Sequence, residues 1–235
     1  MTVNVARALF AFDVDGTLID TRPSFTRIIK ELSGASDDEV RRFRDTGGFN
    51  DDWELSRALV CWTRAGRPKI VERCENVRDV VAWCGHDPGD LAAQCIALYR
   101  GGYWRDERPL IDGARLAALE SFIDVVACTG RDVWELDKGQ LMIGHRFAAS
   151  TTMEIAKKPD PQALLRLLPP STSPSLVVLL GDTHADRKTI ANARAARPDL
   201  HFAFVLIDEE HPCAAVVDAV LQARDPRRAL DFAER

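Results

Sequence analysis

Apolar residues follow two different rhythms along the 235-residue chain. Four runs are nearly continuous and rich in β-branched or aromatic residues: ARALFAFDV at 6–14, FIDVVACT at 122–129, LVVLLGD at 176–182 and HFAFVLID at 201–208. An unbroken apolar strand is covered on both faces, which is the habit of a parallel sheet. In the second half, apolar residues also recur at helical spacing, in ARLAALESF after Asp112-Gly113, QALLRLL after Asp160-Pro161, His184 to Ala196, and CAAVVDAVLQAR at 213–224. Leu116 and Leu119 share a face of the first of these. Asp160-Pro161 suits a helix start, because the carboxylate caps free N–H groups and proline fits the first turn. PPSTSPS at 169–175 is a loop by composition. Strands alternating with helices predict βαβ units and an α/β fold.

Residues 21–107 keep only the helical rhythm. PSFTRIIKELSG, DDEVRRFRDTGG, DDWELSRALVCWTRAG, PKIVERCENVRDVVAWCG and DPGDLAAQCIALYRGG are each helix length, with no β-rich run between them. Gly34, Gly47, Gly66, Gly85 and Gly101 are placed to close helices in the left-handed conformation. Leu55, Leu59 and Trp62 form one apolar stripe, and Val77, Val80, Val81 and Cys84 another. The expected organisation is an α/β core of residues 1–20 and 108–235, with a helical module of 21–107 inserted after the first strand.

Composition narrows the partners. Hydrophobic residues make up 46% of the chain, enough for a sizeable core. The net charge of −5 argues against non-specific nucleic-acid binding, which needs a basic face. No apolar run reaches the ~20 residues of a membrane span. The N-terminal residues carry no basic segment followed by a cleavable apolar stretch, so a cytoplasmic protein with no membrane partner is expected. The six cysteines include no CxxC pair, which argues against zinc and for reduced thiols filling the core.

Candidate chemistry gathers where the strands end. The first runs into FDVDGTLID, which places Asp13 and Asp15 two residues apart, on the same side of an extended chain. The second ends in Thr129, Gly130 and Arg131, and the third in LLGDTHAD, with Asp182 and Asp186. AKKPDP brings Lys157 and Lys158 just before a helix. In a parallel sheet these tips share one edge, the edge where ligands bind. Clustered carboxylates call for a hard cation, and Mg²⁺, which bridges readily to phosphate, suits them. A phosphate there would find the Thr129 hydroxyl, backbone N–H groups and a lysine charge. One carboxylate can attack phosphorus while a second handles the proton of the leaving oxygen.

FDVDGT, the strand ending in Thr129, KPDP and GDTxxD resemble, in order, the four motifs of the haloacid dehalogenase (HAD) superfamily. The helical insert is similar to the cap of its subfamily I, which includes phosphoglycolate phosphatase-like hydrolases, and the similarity spans essentially the whole chain. The resemblance implies a Rossmann-like core with Asp13 as the nucleophile that forms an aspartyl-phosphate and also meets the metal. It makes Asp15 the general acid/base, with its backbone carbonyl on Mg²⁺. It gives Thr129 and the Gly130 N–H the grip on the phosphoryl group, and a lysine the charge between Asp13 and phosphate. Lys157 and Lys158 are both candidates, and the KPxP frame favours Lys158. Asp182 would bind Mg²⁺, and Asp186 would support it directly or through water. Members that dehalogenate lack an acid two residues after the nucleophile, so Asp15 favours phosphate-ester hydrolysis.

Arg131 is either a substrate contact or a surface charge, and His184 reads as a bystander. GGFNDDWELS at 47–56 is a loop entering a helix, with Asn50 or Asp51 as N-cap and Trp53 as a core anchor. It could instead be a specificity loop whose acidic residues suit a cationic substrate. The expected function is Mg²⁺-dependent hydrolysis of a small-molecule phosphomonoester. A phosphomutase and a non-catalytic binding or regulatory protein are the alternatives. Phosphoglycolate, a sugar phosphate, a nucleotide and histidinol phosphate all fit the chemistry, and the oligomeric state is not legible.

Overall fold

A computed structural model describes residues 7–45, 52–70, 73–170 and 173–234. The chain divides into two compact units, one of residues 1–20 and 108–235 and one of residues 21–107.

The first unit is built on a five-stranded parallel sheet. Its central strand β1 (Leu9–Phe12) is flanked by β4 (Asp124–Cys128) and β6 (Val177–Gly181). The outer strands are β5 (Ser150–Thr151), beside β4, and β7 (Phe202–Leu206), beside β6. β1 is buried along its whole length because its side chains feed two cores. Phe10 and Phe12 pack on one face with Val125, Val178 and Val216. Leu9 and Ala11 pack on the other with Leu164, Ile190 and Phe204. Continuous apolar character follows directly from this double coverage.

Helices α6 (Gly113–Glu120), α9 (His184–Ala196) and α10 (Cys213–Ala223) fall where the helical spacing puts them. The stretch QALLRLL is helical only over α8 (Gln162–Leu165), where Asp160 Oδ1 accepts from the Gln162 N–H at 2.8 Å. Two elements go beyond the periodicity. β5 is only two residues long. Helix α7 (Val133–Ile143) carries little apolar periodicity but opens on a capping box, with Asp132 Oδ1 accepting from Glu135 N–H and Glu135 Oε2 from Asp132 N–H.

The short strands β2 (Ile19–Asp20) and β3 (Arg108–Pro109) pair antiparallel, so the chain leaves and re-enters this unit on one small ribbon.

The second unit is helical: α1 (Arg22–Ser33), α2 (Asp37–Asp45), α3 (Asp52–Arg64), α4 (Val77–Cys84) and α5 (Ala92–Gly101). Its core joins Ile29, Val40, Phe43, Leu55, Leu59, Trp62, Val77 and Val80. Trp62 meets Phe43 edge-on and donates Nε1–H to the Pro68 carbonyl at 2.8 Å. Trp53 packs edge-on against Phe25. Gly34 and Gly85 close α1 and α4 in the left-handed conformation. The expected cap at Gly101 is displaced: Gly101 ends α5, and the N–H of Gly102 closes it on Leu98 and Tyr99. Within the stretch PKIVERCENVRDVVAWCG, α4 starts at Val77, where the Asn76 side chain accepts from the N–H groups of Arg78 and Asp79. Gly47, Asn50 and Asp51 lie outside the described residues.

None of the six cysteines forms a disulfide, and five are buried. Burial pushes the thiols of Cys128 and Cys213 up to about 12, so neither supplies a thiolate near neutrality. Among the described residues no helix is long and apolar enough to cross a membrane. Phe10 is 0% exposed at the centre of the sheet. Phe10→Ala should therefore lower unfolding free energy by about 3–5 kcal/mol, read as a shift in urea midpoint.

Candidate active site

The sheet register assembles the site. Phe12 lies opposite Ala127 on one side and Leu180 on the other, so Asp13 falls within one residue of Thr129 and Asp182. The Asp13 N–H continues the ladder by donating to the Leu180 carbonyl at 2.8 Å, and the Thr129 N–H donates to Thr151 at 3.0 Å. All these groups belong to the α/β unit.

After Asp13 the backbone turns tightly, with the N–H groups of Leu18 and Ile19 both donating to the Val14 carbonyl at 2.9 Å. Gly16 sits in this turn at φ 70°, in the left-handed region. A Cβ there would overlap the Asp182 carboxylate, so the glycine serves both the turn and the close approach of two strand ends. Gly181 does the same for Asp186, whose Cγ would lie 2.5 Å from an added Cβ.

Asp13, Asp182 and Asp186 each present a carboxylate oxygen within 4.8 Å of the others. Lys158 enters this group. Its Nζ lies 2.8 Å from Asp13 Oδ1 and 2.5 Å from Asp186 Oδ1, whereas Lys157 is exposed. The contact with Asp13 is an ion pair without hydrogen-bond alignment, and Asp13 Oδ1 has no hydrogen-bond partner among the described residues. Asp186 is fully buried and fully used: Oδ1 accepts from Lys158, and Oδ2 accepts from the N–H and hydroxyl of Thr183 at the start of α9. The lysine loop is tied down by Asn192, which donates to the Pro159 carbonyl at 3.0 Å.

The charges do not balance within the cluster. Burial works against the Lys158 ammonium, but Asp13 and Asp186 outweigh it and hold the lysine charged. Burial pushes the Asp13 carboxyl well above its usual value, Lys158 opposes the shift, and Asp186, Asp15 and Asp182 add to it. Asp182 reaches solvent on one side, yet desolvation and then the Asp186 charge push its carboxyl up to about 6. Three carboxylates around one ammonium form a set of hard oxygen donors that matches a divalent cation.

The remaining residues of the edge have distinct surroundings. The buried Thr129 accepts from the Arg131 N–H through Oγ1 at 3.1 Å. Gly130 is exposed, and nothing lies within 4 Å of where its Cβ would stand. Asp15 pairs with Arg131, whose Nε is 2.7 Å and Nη2 2.6 Å from Asp15 Oδ1. Arg131 is 2% exposed, a buried partner of Asp15 rather than a surface charge. Gly139, in the middle of α7, is a further residue of this edge that apolar periodicity does not mark. An added Cβ there would stand 3.1 Å from Arg131 Nη1 and 3.0 Å from Ile19 Cδ1. Helical glycine costs about 1 kcal/mol against alanine, so a glycine inside a helix signals a close neighbour. His184 is exposed.

A model of the haloacid dehalogenase-like hydrolases matches residues 8–194. No curated protein matches by sequence. Among solved structures, phosphatase Tt82 from Thermococcus thioreducens shares 25% identity at a TM-score of 0.76, covering 91% of this chain and 99% of its own. A HAD-superfamily hydrolase of subfamily IA, variant 1, from Geobacter sulfurreducens shares 18% identity at a TM-score of 0.50, covering 88% of this chain and 90% of its own. YfnB from Bacillus subtilis, described as a HAD-hydrolase and solved bound to magnesium, shares 18% identity at a TM-score of 0.54, covering 85% of this chain and 88% of its own.

Gly16→Ala should destabilise the protein by more than the roughly 1–2 kcal/mol of left-handed backbone strain, because the Asp182 carboxylate must also move. Chemical denaturation checks this. Gly130→Ala, where a Cβ meets nothing, is the matched control and should change stability little.

Proposed function

Because the chain belongs to the haloacid dehalogenase-like hydrolase family, we propose that it is a Mg²⁺-dependent phosphatase acting on a small-molecule phosphomonoester through an aspartyl-phosphate on Asp13. The observation that carries this reading is a buried aspartate 2.8 Å from a buried ammonium, on a sheet edge that also holds Asp182 and Asp186.

In the first step an Asp13 carboxylate oxygen attacks phosphorus. The bond to the leaving oxygen breaks, and that oxygen takes its electron pair together with the Asp15 proton. The alcohol departs. Water then attacks phosphorus and gives a proton to Asp15, and the Asp13–phosphorus bond breaks. Asp13 regains its carboxylate, and inorganic phosphate is released. Thr129 Oγ–H and the Gly130 N–H donate to the phosphoryl oxygens, and Lys158 offsets charge between them and Asp13.

Asp13 and Asp182, with the Asp15 backbone carbonyl, are the groups to hold Mg²⁺. Asp186, whose oxygens are already engaged, would support it through water. Bound Mg²⁺ supplies Lewis-acid stabilisation of the charge on the transferring phosphoryl group. Lys158 has a second duty: it keeps Asp13 and Asp186 close despite their like charges.

Residues 21–107 take the part of the cap, which selects the alcohol. Six cysteines without a disulfide suit a cytoplasmic setting.

Asp13→Asn should abolish phosphate release from p-nitrophenyl phosphate while leaving the far-UV circular dichroism unchanged. Wild-type turnover by that variant would overturn the assignment. Chelation with EDTA should abolish wild-type turnover, and added Mg²⁺ should restore it. Full activity in EDTA would remove the metal from the account.

A further inference from the structure

Arg131 is the cation of this edge to which the chemistry above gives no task. Its guanidinium is buried and turned to Asp15, with Nε and Nη2 both on Oδ1, and its Nη1 donates to the Glu135 carbonyl at 3.1 Å. Its backbone is held as firmly. The N–H donates to Thr129 Oγ1 at 3.1 Å, and the carbonyl accepts from the Met153 N–H at 3.1 Å, in the segment that leads to Lys158. The absent side chain of Gly139 leaves room for Nη1. One arginine thus links the aspartate of the β1 turn, the threonine at the end of β4 and the first turn of α7.

We propose that Arg131 is a positioning residue for Asp15 and not a substrate contact. It pins the carboxyl by Oδ1 and so fixes Oδ2 as the oxygen that carries the proton to the leaving group. A planar guanidinium meeting one oxygen through two nitrogens fixes that oxygen within the guanidinium plane as well as its distance, which an ammonium does not. A proton donor held in line contributes roughly 10²–10⁴-fold to the step it serves. The proposal rests on Asp15 being the acid/base of a phosphatase, and the test separates that premise from the role of the arginine.

The probes are phenyl phosphate and p-nitrophenyl phosphate. They differ by one nitro group, which makes the second leaving group stable without a proton. For Asp15→Asn, kcat should fall far more on phenyl phosphate than on p-nitrophenyl phosphate. Arg131→Gln should show the same selectivity, a loss of about 10²-fold on phenyl phosphate and less than about 10-fold on p-nitrophenyl phosphate, with KM nearly unchanged. Adding Arg131→Gln to Asp15→Asn should cost nothing further, because the two residues act as one unit.

A selective Asp15→Asn beside an unselective Arg131→Gln would overturn the arginine's role alone. So would a raised KM with kcat intact, the mark of a substrate contact, or additive losses in the double variant. An unselective Asp15→Asn would overturn the acid/base premise and the proposal with it. Should Arg131→Gln fail to fold, Gly139→Ala displaces the guanidinium while keeping its charge. A milder loss confined to phenyl phosphate would then support the proposal, and equal losses on both probes would overturn it.

Discussion

Like charges held together at the mouth of a buried strand are the constraint around which the α/β unit is arranged. Asp13, Asp182 and Asp186 bring their oxygens within 4.8 Å, and Lys158 between Asp13 and Asp186 is their cation among the described residues. A protein gains no stability from such a cluster. Desolvation and mutual repulsion both push the Asp13 and Asp182 carboxyls toward their neutral forms. The arrangement persists because the sheet, the Gly16 turn and the capping of α9 hold every member from outside the cluster. Strain of this kind belongs at functional sites, where the surrounding fold over-determines it.

The rest of the unit can be read as the means of maintaining that geometry. Two apolar cores grip β1 from both faces and fix its register against β4 and β6. Register then decides which residue stands at each strand tip. Gly16 and Gly181 remove the two Cβ atoms that would keep the carboxylates apart. Thr183 engages one oxygen of Asp186 and leaves the other to Lys158, so a helix cap and an ion pair share one side chain.

Much of this was legible in the amino-acid order, for identifiable reasons. The α/β class follows from four unbroken apolar runs, since only a strand covered on both faces has that composition. The residues of the edge follow from where those runs end. Other features depend on proximity that no local pattern encodes. Arg131 meets Asp15 across 116 positions of sequence, so only the fold shows that its charge is buried and engaged. Helix α7 shows little apolar periodicity, because its signature is the Asp132–Glu135 capping box and not a hydrophobic face. Gly139 has no meaning until the guanidinium beside it is seen. The adjacent lysines 157 and 158 are equivalent as residue types; the KPxP frame favours the second, and the path of the loop sets that one against Asp13 while leaving Lys157 exposed.

The central claim is that phosphorus passes through Asp13. Enzyme turning over p-nitrophenyl phosphate can be quenched in acid, reduced with borohydride, which converts an aspartyl-phosphate to homoserine, and digested for peptide mass spectrometry. The account predicts homoserine at position 13 and at no other aspartate. Steady phosphate release with position 13 still aspartate, or reduction at a different carboxylate, would contradict it.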